Sequence, residues 1–138
     1  MMKRLLVAMV LATTSVPLMA QPCLACSCQA GPNTQNQREK EAKEADSVFT
    51  GKVWKIEGTY NTSYSSVRVS FFVEDAYKGT HRHRVTVSTA NQGSACGFYF
   101  EEGDRYTVFG YGKGPKRFST HSCSETRRGR IDPERYGL

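Results

Sequence analysis

The stretch Val67-Arg68-Val69-Ser70-Phe71 alternates between apolar and polar side chains, and this alternation decides the fold class. Successive side chains of a β-strand point to opposite faces, so the pattern predicts a strand with one buried and one exposed face. Apolar residues continue the predicted strand to Tyr77. We therefore expect a β-sheet at the centre of the fold.

Four other segments have the same β-type character. The first of them contains Gly51, and a glycine inside a strand often marks a bulge or a sharp bend. A helix through Asp46 can be capped by Thr34, and because Ala42 and Ala45 give it only a thin apolar stripe, we expect it to be peripheral. The predicted strands are residues 47–57, 67–77, 82–89, 104–111 and 117–121.

Five strands, one peripheral helix and long loops predict an all-β fold. A five-stranded Greek-key barrel of the OB type is the best-known architecture of this size. The Arg-rich tail that begins at Glu125 is expected to be exposed. No internal repeat is visible, so residues 26–138 are predicted to form one domain.

Residues 1–25 are predicted to be a signal peptide. Lys3 and Arg4 precede an apolar run at residues 5–12, an order that the export machinery recognises, and the run is too short to span a bilayer comfortably. A buried core helix is the alternative interpretation of this run. We expect a secreted protein, extracellular or periplasmic, without a membrane span.

Two cleavage positions fit the preference of signal peptidases for small residues at −3 and −1. Cleavage after Ala20 places Leu18 at −3, whereas cleavage after Ala25 places the smaller Cys23 there. Only the second cut removes one of the five cysteines and leaves an even number, which suits two disulfides. Cleavage after Ala25 is therefore favoured, and attachment of a lipid to Cys26 is a further alternative.

The charge of the mature chain is mild. Loss of residues 1–25 removes Lys3 and Arg4 and no acidic residue, so the formal net charge falls from +6 to +4. Such a charge permits contact with an acidic surface but does not require nucleic acid, and no nucleic-acid partner is expected. Because OB barrels can bind oligonucleotides and other polyanions, such binding stays a third hypothesis, based on Arg127, Arg128, Arg130 and the basic turn beside His81 and His83.

Cys26 and Cys28 are separated by one residue, and a disulfide between them would close a strained ring. In an extended segment, residues i and i+2 project to the same side, so each cysteine can bond a separate partner. The partners are Cys96 and Cys123, which leaves two pairings open. Either pairing would fix the start of the mature chain, whereas most N-termini fray.

A metal site is the competing interpretation of the four cysteines. It could include His81, His83 or His121. However, C-x-C is not the usual spacing of zinc ligands, and export favours disulfides. We therefore expect no intrinsic metal and no cofactor, and we interpret His81 and His83 as solvated surface residues. No nucleophile–base set or paired-carboxylate motif stands out, so an enzyme is not expected.

The ordered motifs of this chain resemble the N-terminal inhibitory domain of the tissue inhibitors of metalloproteinases, within the wider group of netrin-like modules. The similarity covers nearly all of the mature chain, and the combination of a C-x-C start with later C-G-aromatic and C-S motifs is its most specific part. The motifs are Cys26-Ser27-Cys28, Ser47-Val48-Phe49-Thr50-Gly51-Lys52-Val53, Tyr77-Lys78-Gly79, Ser94-Ala95-Cys96-Gly97-Phe98-Tyr99-Phe100 and Cys123-Ser124.

The resemblance implies an OB-fold and a choice between the two disulfide pairings. The implied pairs are Cys26–Cys96 and Cys28–Cys123. This chain differs from the animal inhibitors in three ways: it lacks their third disulfide and their cysteine-rich C-terminal domain, and its loop at residues 58–66 is short.

The resemblance also implies a mechanism. The free α-amine and the carbonyl oxygen of Cys26 would chelate the catalytic zinc of a metalloprotease. Ser27 would enter the pocket beside that zinc, and Cys28, Ser94 and Ala95 would contact the protease surface. The expected function is thus a secreted, monomeric metalloprotease inhibitor whose partner supplies the zinc. The alternative is a netrin-like adhesion or binding module in which the disulfides are only structural.

Overall fold

The computed structural model describes Cys26, Cys28 and residues 34–62, 66–80, 82–113 and 117–138. The predicted signal peptide, Ser27 and His81 lie outside these residues. Within the described ranges, no helix combines the length and the apolar character that crossing a membrane requires.

The described residues form a single helix and a six-stranded sheet. They comprise α1 (Gln35–Glu44), β1 (Ser47–Glu57), β2 (Ser66–Lys78), β3 (Arg84–Ala90), β4 (Arg105–Gly110), β5 (Arg117–Ser119) and β6 (Arg127–Arg128). The strand order is β5-β3-β2-β1-β4-β6, and all neighbours are antiparallel except β3 and β5. A mostly-β fold with one helix is thereby confirmed, although the sheet has six strands rather than five.

The sheet is open, with β5 and β6 as its edges. One antiparallel bridge links the end of β4 to β5, where Tyr111 and Ser119 exchange two backbone hydrogen bonds of 2.8 Å each. The closed five-stranded OB barrel stays a prediction.

The alternation in β2 places its apolar side chains in the main core. Val67, Val69 and Phe71 are fully buried, whereas Arg68 and Phe72 are exposed. The same period-two burial recurs in β3. The main core consists of Phe49, Val53, Val67, Val69, Phe71, Val85, Val87, Phe100, Tyr106, Val108 and Phe118.

Gly51 lies at an irregularity of β1. The pairing of β1 with β2 shifts register between Thr50 and Gly51, so the predicted bulge is confirmed. A Cβ atom at this position would lie 2.7 Å from the carbonyl oxygen of Phe72. Only glycine therefore lets the two backbones approach this closely.

A second core on the other side of the sheet corrects the expectation of an exposed tail. The tail forms β6 and a 3₁₀ turn at Pro133–Tyr136, whose Tyr136 is only 4% exposed. The helix contributes its thin stripe here, because Ala42 and Ala45 are both buried. The second core consists of Ala42, Ala45, Val48, Phe109 and Tyr136. Tyr136, together with the partly buried Ile131 and Leu138, thus docks the tail on the sheet.

Candidate functional site

Two disulfides fix the start of the predicted mature chain. They join Cys26 to Cys96 and Cys28 to Cys123, with Cα–Cα distances of 5.1 Å in both cases. These are the two pairings that the resemblance implies. They close loops of 70 and 95 positions, and long loops are where a crosslink restricts the unfolded chain most in the chain-entropy model.

Cys96 is presented by a tight loop after β3. The 3₁₀ turn Gly93–Ala95 leads directly into Cys96, whose φ of 60° lies in the left-handed region. Gly97 then donates a backbone hydrogen bond to the carbonyl of Gln92 at 2.9 Å. A Cβ atom at Gly97 would lie 2.1 Å from the carbonyl oxygen of Ala90, so the loop closes this tightly only around glycine.

The loop after β5 carries Cys123 to the same place. Thr120 donates its backbone N–H to the carbonyl of Ser88 in β3, and Ser122 donates to the carbonyl of Cys96, both at 2.9 Å. The sheet pairing of β3 with β5 therefore continues into the two cysteine loops. As a result the loops lie side by side below the N-terminal segment.

The two disulfides contact each other as a consequence. The Sγ atom of Cys26 lies 3.6 Å from that of Cys123, and the Sγ atoms of Cys123 and Cys96 are 4.0 Å apart. Cys26 is partly buried and Cys28 is exposed. The crosslinked cluster is therefore rigid yet accessible at the protein surface.

In their disulfide-bonded form, the same sulfur atoms do not fit a metal site. Those of Cys26, Cys96 and Cys123 lie within 4.8 Å of one another, and no described histidine or carboxylate completes the group. All three are engaged in disulfides, whereas a metal needs a thiolate. The ring of His121 stacks instead on Tyr111, with their centroids 5.3 Å apart.

The other residues that were predicted to contact a protease, where the structure describes them, lie next to the disulfide cluster. Ala95 is exposed and lies immediately before Cys96, and the backbone of Ser94 belongs to the same 3₁₀ turn. Ser27 lies outside the described residues. The structure thus brings Cys26, Cys28 and Ala95 to one surface.

A rim formed by Tyr99 and the β1–β2 loop lies beside the loop that carries Cys96, and the sequence did not predict it. The ring of Tyr99 packs against that of Tyr60 with centroids 4.8 Å apart, and its hydroxyl accepts the backbone N–H of Gly93 at 3.1 Å. Tyr60 in turn accepts the N–H of Phe100 at 3.0 Å, and burial raises the pKa of the Tyr60 hydroxyl. The tyrosines in the largely polar β1–β2 loop, Tyr60 among them, were the available signal.

Further contacts tie the β1–β2 loop to the segment after β3. Asn91 is buried, and its Nδ2 donates to Oγ1 of Thr62 at 2.8 Å and also to the carbonyl of Thr62. Asn61 donates its backbone N–H to the carbonyl of Asn91 at 2.7 Å. The β1–β2 loop therefore forms part of the surface next to the 3₁₀ turn.

No protein-family model matches this chain, and comparison with curated protein sequences finds no similar one. The resemblance to the metalloproteinase inhibitors therefore stays a prediction from the sequence motifs.

Proposed function

We propose that the mature protein begins at Cys26 and inhibits zinc metalloproteases by chelating their catalytic zinc with the α-amine and carbonyl oxygen of that residue. The observation that carries the proposal is the pair of touching disulfides, which holds Cys26 and Cys28 beside the exposed turn Gly93–Ala95. Such crosslinking of a chain terminus is unusual, because termini are the usual place for fraying.

The chemistry of a catalytic zinc suits this arrangement. The metal keeps one position for a water molecule or a substrate, and an amine together with its own carbonyl forms a five-membered chelate that can displace the water. An α-amine has an ordinary pKa of about 7.7–8.0, so it loses its proton at little cost near neutral pH. A rigid N-terminus also loses little conformational entropy on binding.

The surface around Cys26 can supply the remaining contacts. Ser27 would enter the pocket beside the zinc, and because its side chain is short it would confer little selectivity. Ser94 and Ala95 would flank it, and the rim formed by Tyr99 and Asn61 would extend the contact area. No residue of this protein needs to take part in bond cleavage.

The proposal includes a finer fold assignment. The order β5-β3-β2-β1-β4, with the bridge between Tyr111 and Ser119, is compatible with a five-stranded OB barrel to which β6 is an addition. In this arrangement the cysteine loops after β3 and β5 would sit at one end of the barrel, with the N-terminus across them.

The decisive experiment changes only the terminal amine. Intact mass should first identify a mature chain that begins at Cys26 with a free amine and contains two disulfides. A variant with one alanine before Cys26 should then lose inhibition of a panel of zinc endopeptidases by a factor of about 100 or more, because the amine moves away from the zinc. Its melting temperature should stay within about a degree of the parent, since the disulfides remain.

The matched control is Ser27→Ala, which alters the neighbouring residue but keeps the amine in place. It should change the inhibition constant by less than about tenfold. Inhibition that survives the alanine extension would refute the chelation mechanism, and a blocked or extended natural terminus would leave the netrin-like binding module as the better hypothesis.

A further inference from the structure

The arginines of the sheet divide into two groups according to their ion pairs. In strands β4 and β6 and the residues that follow β6, four arginines contact carboxylates, namely Arg105, Arg127, Arg128 and Arg130. These pairs are Arg105–Glu74 at 2.5 Å, Arg127–Glu125 at 2.5 Å, Arg128–Glu101 at 3.3 Å and Arg130–Glu74 at 3.0 Å, with Asp104 and Asp75 as further partners of Arg128 and Arg130. The charges of Arg127, Arg128 and Arg130 in the tail are therefore neutralised locally, which weakens the case for these three as a polyanion site.

The opposite end of the sheet carries three arginines of which, among the described residues, two have no ion pair and one has only a long one. Residues 66–72 of β2, together with β3 and β5, contain Arg68, Arg84 and Arg117 and no acidic residue. All acidic residues of the chain lie in its described part, and neither Arg84 nor Arg117 forms an ion pair with any of them. Arg68 reaches only Glu57, at 3.9 Å, and Glu57 also pairs with Lys55.

A cleft of about 380 Å³ lies between Arg68 and Arg117 on the outer face of the sheet. In the strand register, Arg68 is opposite Ser88 and Arg117 is opposite Thr86, so the strand that carries the two hydroxyl residues lies between the two strands that carry the arginines. Ser66 and Phe118 complete the lining. The volume falls in the range of small-ligand pockets, and arginines with hydroxyl donors suit a ligand that bears both oxyanions and hydroxyl groups.

An aromatic cluster continues this face toward β1. The rings of Trp54 and Phe72 are 43% and 41% exposed, and their centroids are 5.5 Å apart. The guanidinium of Arg84 lies over both rings, at 5.6 and 5.1 Å from their centroids. This arrangement adds a third positive charge to the face, but it occupies ring surface on which a nucleobase would need to stack.

We propose that this outer face, formed by the Arg68–Arg117 cleft and the cluster of Trp54, Phe72 and Arg84, binds a sulfated polysaccharide. Sulfate esters pair with the guanidinium groups of Arg68, Arg84 and Arg117, and sugar hydroxyls meet Ser66, Thr86 and Ser88 in the cleft. The remaining exposed parts of the two rings cover the apolar side of a sugar. The cleft does not involve Cys26, so saccharide binding is independent of protease inhibition.

The test compares two double variants of the mature, disulfide-bonded protein that lose the same charge. Arg68→Gln with Arg117→Gln removes both guanidinium groups of the cleft. Arg127→Gln with Arg130→Gln removes two arginines that form ion pairs elsewhere. The probe is a heparin-derived hexasaccharide at about 0.15 M salt, measured by calorimetry. The cleft variant should bind the hexasaccharide about tenfold or more weakly than the parent. Its slope of log affinity against log salt concentration should be smaller by about two units. The control variant should lose less than about threefold in affinity.

Three outcomes would overturn the proposal. They are equal losses in the two double variants, equally tight binding of the desulfated hexasaccharide, and tighter binding of a single-stranded oligonucleotide of similar charge. If the cleft variant fails to fold, Arg68→Lys with Arg117→Lys replaces it, which keeps the charge but loses the planar fork of donors. That lysine variant should bind the sulfated probe a few-fold more weakly than the parent protein does. An unchanged affinity would contradict the assignment.

Discussion

The hydroxyl of Tyr99 donates a hydrogen bond of 2.9 Å to Oδ1 of Asn61, and thereby joins the segment that follows Cys96 to the loop between β1 and β2. The same hydroxyl accepts the backbone N–H of Gly93. Asn61 has a φ of 63°, a conformation that asparagine tolerates better than most residues. One side chain thus connects two loops that are distant in sequence.

Replacing Tyr99 with phenylalanine should loosen this connection. The ring contact with Tyr60 would remain, but both hydrogen bonds of the hydroxyl would be lost. Because the site is exposed, we expect a loss of about 1 kcal/mol in the free energy of unfolding, measured by urea denaturation. Hydrogen exchange at Gly93 should become faster, and an unchanged exchange rate there would show that the hydroxyl does not hold the loop.

Gly97 should be intolerant of even the smallest side chain. Gly97→Ala would bring a Cβ atom to within 2.1 Å of the carbonyl oxygen of Ala90, which is backbone and cannot move aside easily. We expect a loss of about 2–4 kcal/mol in the free energy of unfolding.

The matched control for Gly97 lies in the same loop. At Gly93 an added Cβ atom would make only ordinary contacts with the Tyr99 side chain, at 3.6 and 3.7 Å. Gly93→Ala should therefore cost less than about 1 kcal/mol. Similar losses in the two variants would contradict the close backbone approach.

Tyr136 should contribute strongly to stability although it is the third-last residue of the sequence. Its ring lies 5.3 Å from that of Phe109, and its hydroxyl bonds to Glu125 at 3.2 Å. Tyr136→Ala should reduce the free energy of unfolding by about 3 kcal/mol, as large-to-small changes in a core do. Tyr136→Phe, which loses only the hydroxyl, should cost about 1 kcal/mol, and a harmless Tyr136→Ala would mean that the tail is not docked.

Glu74 should make stability depend on pH in the acidic range. The side-chain hydrogen bond from Arg105 is the main reason that the pKa of Glu74 lies below its ordinary value, and Arg130 and Lys52 add to it. A carboxyl whose pKa is lower in the folded state stabilises the fold above its unfolded pKa, about 4.3, and this contribution is lost as pH falls through the folded pKa.

The corresponding variant is Glu74→Gln. Its melting temperature should be a few degrees below that of the parent at pH 7, and the difference should shrink to nothing as the pH is lowered toward about 2. Glu44→Gln, which removes only an exposed pair with Lys40 at 3.7 Å, should change the melting temperature little at neutral pH. A difference between Glu74→Gln and the parent that does not depend on pH would contradict the ion-pair interpretation.

Local patterns predicted the elements that depend on neighbouring residues. Thr34 caps α1 by accepting the N–H of Gln37 at 3.3 Å, in agreement with the sequence. Gly51 marks an irregularity in β1, and Val67, Val69 and Phe71 share the buried face of β2. These features are local because a cap, a bulge and an alternating strand need only a few consecutive residues to be recognised.

The docking of the tail and the weak ion pairing of the arginines in the cleft could not be predicted in this way. The arginines after Glu125 suggested an exposed segment, but the charges of Arg128 and Arg130 are balanced by carboxylates that are distant in sequence, such as Asp104 and Glu74. Arg117, which belongs to the shortest predicted strand, gave no sign that it would be left without an acidic partner. Charge balance depends on which strands become neighbours, and the sequence pattern does not specify that.

The sequence by itself determined five of the six described strands, the capped helix and the presence of two cysteines, separated by one residue, ahead of the fold. Only the tertiary structure decided that their disulfides touch and that the tail closes a second core. The physical reason is that periodicity reveals which face of a segment is buried but not what covers it. The partner of each face is chosen by long-range packing, as when the hydrogen bond from Ser122 to Cys96 aligns two loops and brings the sulfur atoms together.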